Sequence, residues 1–397
     1  MNDLAFVGSP LPTTWTAGHI SDVTSKVGSG ATPRGGAAVY VQSGASFIRS
    51  QNVHDHEFRP EGLVHIADNV AHQLRGVTVE AGDVLLNITG DSILRTCVVP
   101  EAVLPARVSQ HVAIVRSNGR VDPGFMQKWL SLPAMKDFML GRSSGGTRKA
   151  ITRGHILSFP IPVPPIAEQK EIAATLGALD DKIESNRRAI DLAEALGDSL
   201  FAETDYDRRA LSEVASLTMG SSPPGTSYNE DRVGLPFYQG VRDFGRRYPG
   251  LRVWTDAPVR IAQPNDTLVS VRAPVGNLNR AVEVCCIGRG VAAVNSPWPS
   301  TIYYALRAAS SVWEPFQQEG TVFGAINRTD LSAARLPWPE PSRLQPLEER
   351  LAAIDARIQS LTSEIDRLAQ LRDVLLPELL SGRIRVPEAA EGIEVAA

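Results

Sequence analysis

Apolar positions recur along this chain at two different periods. From Ile172 they run through Leu176, Leu179, Ile183, Ile190 and Ala193, the alternating four-and-three spacing of a heptad seam. A second segment, Leu347, Leu351, Ile354, Ile358, Leu361, Ile365 and Leu368, keeps the pattern more strictly, and Pro377 with Gly382 is expected to stop it. The spacing predicts two long helices, and one over residues 168–203 would measure ~54 Å at 1.5 Å per residue. Neither can bury its seam alone. Pairing of the two as an antiparallel coiled coil is the economical solution. The polar position on the first seam is Asn186, whose counterpart is Leu361; it reads either as a register-fixing buried amide or as an asparagine tolerated near a helix end.

Outside the seams the patterning is that of short strands. Val77-Thr78-Val79, residues 83–88, 112–115, 266–271 and 290–294 are β-branched runs bounded by Gly, Pro or Asp, and residues 126–140 read as one helix. The expected fold class is α+β: two globular modules with small mixed or antiparallel sheets, separated by the paired helices.

Self-comparison explains why every element is found twice. Ala150-Ile151-Thr152-Arg153 matches Ala325-Ile326-Asn327-Arg328, 175 positions on, and the offset then holds without a gap through Leu176/Leu351, Asp180/Asp355, Ile183/Ile358 and Ile190/Ile365. Upstream it drifts, to 179 for Val112/Val291 and 183 for Asp83/Asp266, as loops of different length intervene. The chain therefore reads as a pseudo-two-fold repeat of a variable module and a constant segment, with boundaries at 1–160, 161–207, 208–339 and 340–397. Each module ends in a Pro-rich hinge that keeps helix from running backward.

The net charge of −4 on 397 residues hides a segmental pattern. Taken in order, the four segments carry +3, −7, +4 and −4, so the modules are weakly basic and the helices acidic. All 14 cations of the second module are Arg, among them Arg242, Arg246, Arg247, Arg252, Arg272, Arg280 and Arg289. Arg presents a planar bidentate fork that Lys lacks. Two basic modules on an acidic frame point to two separate patches for phosphate and base-edge contact. The three cysteines, Cys97, Cys285 and Cys286, are an odd number that suits a reducing cytoplasm, adjacent Cys285 and Cys286 read as small buried apolar residues, and no signal peptide or membrane span is expected.

The sequence carries no recognisable catalytic constellation. Pro164-Pro165 lacks the Asn/Asp and Tyr/Phe that an adenine-methylating loop needs. Residues 141–146 have the glycine spacing of a phosphate loop, but Thr147 stands where Lys is required, so a DNA-gripping turn is the better reading. His54-Asp55-His56 has no third metal ligand at a suitable spacing.

The run 161–172, Ile-Pro-Val-Pro-Pro-Ile-Ala-Glu-Gln-Lys-Glu-Ile, continuing through Leu179-Asp180-Asp181-Lys182-Ile183-Glu184, closely resembles the central conserved region of type I restriction-modification specificity subunits. Leu11-Pro12 with Trp15 resembles the family's N-terminal entry, Gly146-Thr147 with Ala150-Ile151 the end of a target-recognition domain, and residues 379–384 the C-terminal close. The second helix entry, residues 340–344, departs from the pattern. The resemblance implies a non-catalytic subunit whose two target-recognition domains each read half of a bipartite, asymmetric site in double-stranded DNA. The helices would set the spacer and dock modification subunits, expected to be two. S-adenosylmethionine would sit on that methyltransferase partner, and restriction subunits would complete the nuclease. Partner and helix-pairing positions are Glu168, Gln169, Ile172, Leu176, Leu179, Ile183, Asn186, Leu347, Leu351, Ile354, Ile358, Leu361 and Ile365.

Candidate DNA readers are polar groups in segments that the repeat duplicates. Residues 49–52, with Arg49, Gln51 and Asn52, are matched to residues 239–242, with Gln239 and Arg242. Arg95, Gln110, His111, Arg148 and Lys149 join them in the first module, and Arg272, Asn277 and Arg289 in the second. Arg suits guanine O6 and N7, and Gln or Asn suits adenine N6 and N7. Two readings compete with this one: a coiled-coil adaptor with β-rich protein- or glycan-binding modules, and the recognition half of a fused restriction-methylation enzyme.

Overall fold

The computed structural model describes Leu4 and residues 11–143, 149–316 and 324–387. The chain divides into two compact units, one of Met1–Asn186 with Glu364–Ala397 and the other of Arg187–Ser363. Among the described residues no helix is long and apolar enough to cross a membrane.

In the first unit a four-stranded antiparallel sheet has the order Thr96–Val98, Val84–Asn87, Val112–Ser117, Thr24–Ser29. A five-stranded sheet follows the order Tyr40–Val41, Val64–Ile66, Ala45–Ile48, Ala106–Val108, Thr78–Val79, with one parallel pair, Ala45–Ile48 beside Ala106–Val108. The second unit has the same two sheets. Its four strands are ordered Leu278–Arg280, Thr267–Ser270, Val291–Asn295, Ser216–Met219, and its parallel pair is Leu235–Tyr238 beside Cys285–Ile287. A two-stranded ribbon closes each unit, Thr16–His19 with Pro160–Val163 and Tyr206–Ala210 with Arg335–Pro339.

The central strands read as continuous apolar runs because both their faces are covered. Val84, Leu86, Ala113 and Val115 enter a core shared with helices, while Leu85, Val112 and Ile114 enter a second core shared with the five-stranded sheet. The second unit sorts its strands in the same way, Val269, Ala292 and Val294 to one side and Leu268, Val291 and Ala293 to the other. Side chains two apart in a strand share a face, so one strand serves two cores. The single helix expected over residues 126–140 is instead two, Pro123–Ser131 and Pro133–Gly141. Pro133 disfavours helical backbone at the residue before it, and Leu132 is extended there, at φ −58° and ψ 129°.

The long helices are Ile166–Ala202, of 37 residues, and Pro341–Ser381, of 41. The second runs through Pro377, contrary to expectation, and stops at Gly382, whose φ is 71°. The hydrogen bond forgone at Pro377 is offset by burial of Leu375, Leu376, Leu379 and Leu380 around it. Seam residues Ile172, Leu176 and Leu179 share a core with those leucines and also with Phe125, Trp129 and Ile161, so the module covers the seam together with the second helix. Leu347 and Leu351 likewise join Phe201, Ile302 and Tyr303. Ile183, Ile358 and Leu361 are buried, whereas Ile354 and Ile365 are half-buried. Within the first unit Asp180 accepts from Arg372 at 3.0 Å and Lys182 lies 3.2 Å from Glu364, so one helix descends as the other rises.

Each long helix also anchors a module through the same repeat position. Asp180 accepts from buried Lys128 as well as from Arg372, and its equivalent, Asp355, lies between Arg247 and Arg280, which are nearly fully buried. Asn186 is buried, with no hydrogen-bond partner for its Nδ2 among the described residues.

Candidate nucleic-acid interface

Repeated backbone hydrogen bonds fix which residues of the two units are equivalent. Ser109 N–H donates to Ile48 O as Gly288 N–H does to Tyr238 O, and Ile88 N–H donates to His111 O as Val271 N–H does to Gly290 O. Gln110 N–H donates to the Thr32 hydroxyl at 3.4 Å, as Arg289 N–H does to the Ser222 hydroxyl at 3.5 Å. Thr89 bridges Ala150 as Arg272 bridges Ala325. In both units the carboxyl ends of the parallel strands, the loop before the last central strand and the end of its neighbour converge on one rim. Gly30 and its equivalent Gly220 permit the close approach. A Cβ at either would stand 2.1 Å from a carbonyl oxygen, of Val108 or of Gly288.

The one-to-one match of residues 49–52 with 239–242 needs correction. Arg49 N–H donates to Asn52 Oδ1 at 3.0 Å, and Gln239 N–H donates to Asp243 Oδ2 at 2.6 Å. Gly240 is therefore an inserted residue, and the short turns Ser50–Asn52 and Val241–Asp243 correspond. Arg242 is the equivalent of Gln51, and Asp243 that of Asn52. Asn52 is not a reader: it is 0% exposed, and its amide donates to Arg59 O and Glu61 O at 2.9 and 3.2 Å. An aspartate cannot donate in that way, and the carboxylate of Asp243 instead takes Arg252, at 2.6 Å.

In the second unit Gln239, Arg242, Arg272 and Arg289 all line one cleft of about 340 Å³, floored by Gly240 and Gly290 and edged by Ser222. The four side chains are exposed, and among the described residues none of the three guanidinium groups has an acidic partner. The other arginines of this module singled out from sequence differ. Arg247 and Arg280 meet Asp355, Arg246 meets Asp191 and Glu194, and Arg252 meets Asp243. Asn277 lies outside the arginine cleft, in a second cleft beside Asp198 and Arg307.

The equivalent rim of the first unit is more neutral. Arg49 and Gln51 donate to the same carbonyl, Gly62 O, at 2.5 and 3.4 Å, so their polar ends meet. Gln110 Nε2 lies 3.4 Å from His111 Nε2, and the Thr89 hydroxyl lies 2.7 Å from His111 Nδ1. Exposed Lys149 precedes Ala150, the bridge partner of Thr89. Arg95, the equivalent of Asn277, lies off the rim, 3.5 Å from His54 Nδ1; burial, Arg59 and Arg95 lower the pKa of His54. Arg148 and residues 144–146 of the proposed gripping turn, 141–146, lie outside the described residues, and Gly141 belongs to the helix Pro133–Gly141. Thr32, Thr89 and Ser222 were missed by sequence reasoning; only the equivalence of loops brings them to the rim.

The helix-entry residues are engaged within the first unit. Gln169 is 0% exposed: its Oε1 accepts from Asp122 N–H at 2.7 Å and its Nε2 donates to Pro164 O at 2.8 Å, so it clamps a loop and offers no surface to a partner. Glu168 accepts from Trp15 Nε1 at 3.0 Å and from Arg385. A Cβ at Gly382 would stand 2.4 Å from Pro12 Cγ. The N-terminal, helix-entry and C-terminal motifs thus converge around one carboxylate.

A family model described as "Type I restriction modification DNA specificity domain" matches residues 78–195. The type I restriction enzyme MjaX specificity subunit of Methanocaldococcus jannaschii is 25% identical over 95% of each chain. The EcoBI specificity subunit of Escherichia coli is 28% identical over 154 residues, 36% of this chain and 31% of that one. The fold is that of the type I restriction-modification S subunit from M. genitalium, with a TM-score of 0.63 and 14% identity over 94% of this chain and 98% of the other. By these likenesses the chain is similar to the type I restriction-modification DNA specificity subunits, along nearly its whole length in one relative and over residues 78–195 in the family model.

Proposed function

We propose that this chain is the DNA-recognition subunit of a type I restriction-modification complex and carries no catalysis itself. Modules 1–160 and 208–339 each read one half of a bipartite, asymmetric site. The helical segments 161–207 and 340–397 pair as an antiparallel coiled coil, relate the modules by a pseudo-two-fold axis, set the unread spacer and dock two modification subunits, which bind S-adenosylmethionine. Restriction subunits join that core. The observation that carries this reading is the cleft of Gln239, Arg242, Arg272 and Arg289, whose guanidinium forks lack carboxylates among the described residues. Its counterpart in the first unit carries Arg49, Gln51, Thr89 and Gln110. Methylome sequencing of cells expressing the chain with its methyltransferase should reveal one split motif that disappears when this gene is deleted. Methylation that ignores the deletion would favour the adaptor reading instead.

A further inference from the structure

The phosphate backbone is the same whatever bases it carries, so a side chain that grips phosphate has no reason to change between two copies of one module. A side chain that reads bases has every reason to change, because the two halves of an asymmetric site differ. Applied to the rim, this test separates two kinds of position. The hydroxyl pair Thr32 and Ser222 is kept, and each member accepts from the backbone of the next rim loop. The turn after the parallel strand changes in a particular way. Arg49 in the first unit is replaced by Gln239, and Gln51 by Arg242, once the inserted Gly240 is allowed for. Both modules therefore carry one guanidinium and one primary amide on this turn, at exchanged positions.

The two groups are close enough to address neighbouring base pairs. In the first unit both donate to Gly62 O, and in the second both line the one cleft. A guanidinium matches the two acceptors of guanine, O6 and N7; a primary amide matches the donor and acceptor of adenine, N6 and N7. Resting on the function proposed above, we propose that each half-site contains a guanine read by Arg49 or Arg242 and an adenine read by Gln51 or Gln239, and that their order along the groove is exchanged between the halves. Arg272 and Arg289, which replace Thr89 and Gln110, add cations to the second rim only.

The test uses the complex of the full chain with its methyltransferase and a randomised DNA library, with methylated products sequenced. Wild type should select a G·C and an A·T pair in each half. The double variant Gln239→Arg with Arg242→Gln, at two exposed positions, should exchange the two preferred pairs in one half and leave the other half unchanged. Gln51→Ala should relax a single A·T pair in the opposite half, about 10-fold. A double variant that keeps the wild-type motif, with activity lowered equally on all sequences, would make these residues phosphate contacts and overturn the inference. A wild-type half-site without guanine would do the same. Absence of any split motif would remove the proposed function itself, and this inference with it. Thermal melts of each variant exclude misfolding as the cause, and a variant that melts early is replaced by Gln239→Ala, which should relax one A·T pair of the second half.

Discussion

Asp355 sits between two guanidinium groups, Arg247 and Arg280, that are 2% and 5% exposed. Removing the carboxylate leaves buried Arg280 with only the Ser300 hydroxyl and buried Arg247 with Glu194 at 3.8 Å, and the typical penalty for breaking such a buried pair is about 3–5 kcal/mol. Asp355→Ala should lower the urea midpoint of the chain accordingly. Arg385→Ala, which breaks an ion pair at a largely exposed arginine, should cost no more than ~1 kcal/mol. A pH dependence arises at His56, where burial and then Lys128 push the imidazole down to about 4 from an ordinary 6.5. The unfolded chain therefore takes up this proton first. The contribution to stability is complete above about pH 6.5 and is lost as pH falls toward 4, by on the order of 3 kcal/mol. Urea unfolding followed from pH ~7 to pH ~4.5 should show that slope, and His56→Gln should flatten it.

Among the elements, the long helices join periodicity to irregularities that tertiary contacts override. Pro377 was expected to end the second helix and does not, because four leucines around it are buried against the first unit. The heptad spacing is real, yet Ile172, Leu176 and Leu179 pack on Phe125 and Trp129 as well as on helix leucines, which a periodicity alone cannot distinguish. Asn186 interrupts the seam with an amide nitrogen that is buried and without a partner among the described residues. Such a group typically costs 1–3 kcal/mol. Asn186→Leu, which copies the equivalent Leu361, should therefore raise the melting temperature. A fall would show that the amide is instead fixing helix register, and chemical crosslinking would then detect the slip.

For the whole molecule the proposed modularity makes separable forecasts. Exchanging residues 1–160 for the corresponding module of another family member should change one half of the methylated motif and leave the other intact. Inserting four residues after Ala189, about one helical turn, should lengthen the spacer while both halves persist. The basic excess of each module is small, +3 and +4, so the isolated chain should bind DNA weakly at physiological salt and tightly only in the complex. Mobility shifts of the chain with and without its methyltransferase measure the difference. Equal affinity of the two would contradict it.

The repeat, the two long helices, the strand runs and the segmental charge are all determined by the sequence, because each depends on neighbours a few positions apart or on a constant offset. Even the match of Asp180 with Asp355 is visible at that level. What only the tertiary structure decided is which polar groups remain available. Arg247 meets an aspartate 108 residues away and Arg246 one 55 residues away, while Arg242, a few positions earlier, faces a cleft. Asn52 and Gln169 looked like contact residues from their chemistry and became internal clamps, because the carbonyls and amides they satisfy come from loops brought together by the fold. Charge and hydrogen-bonding capacity are written in the sequence, but whether they face solvent or another part of the chain depends on long-range packing.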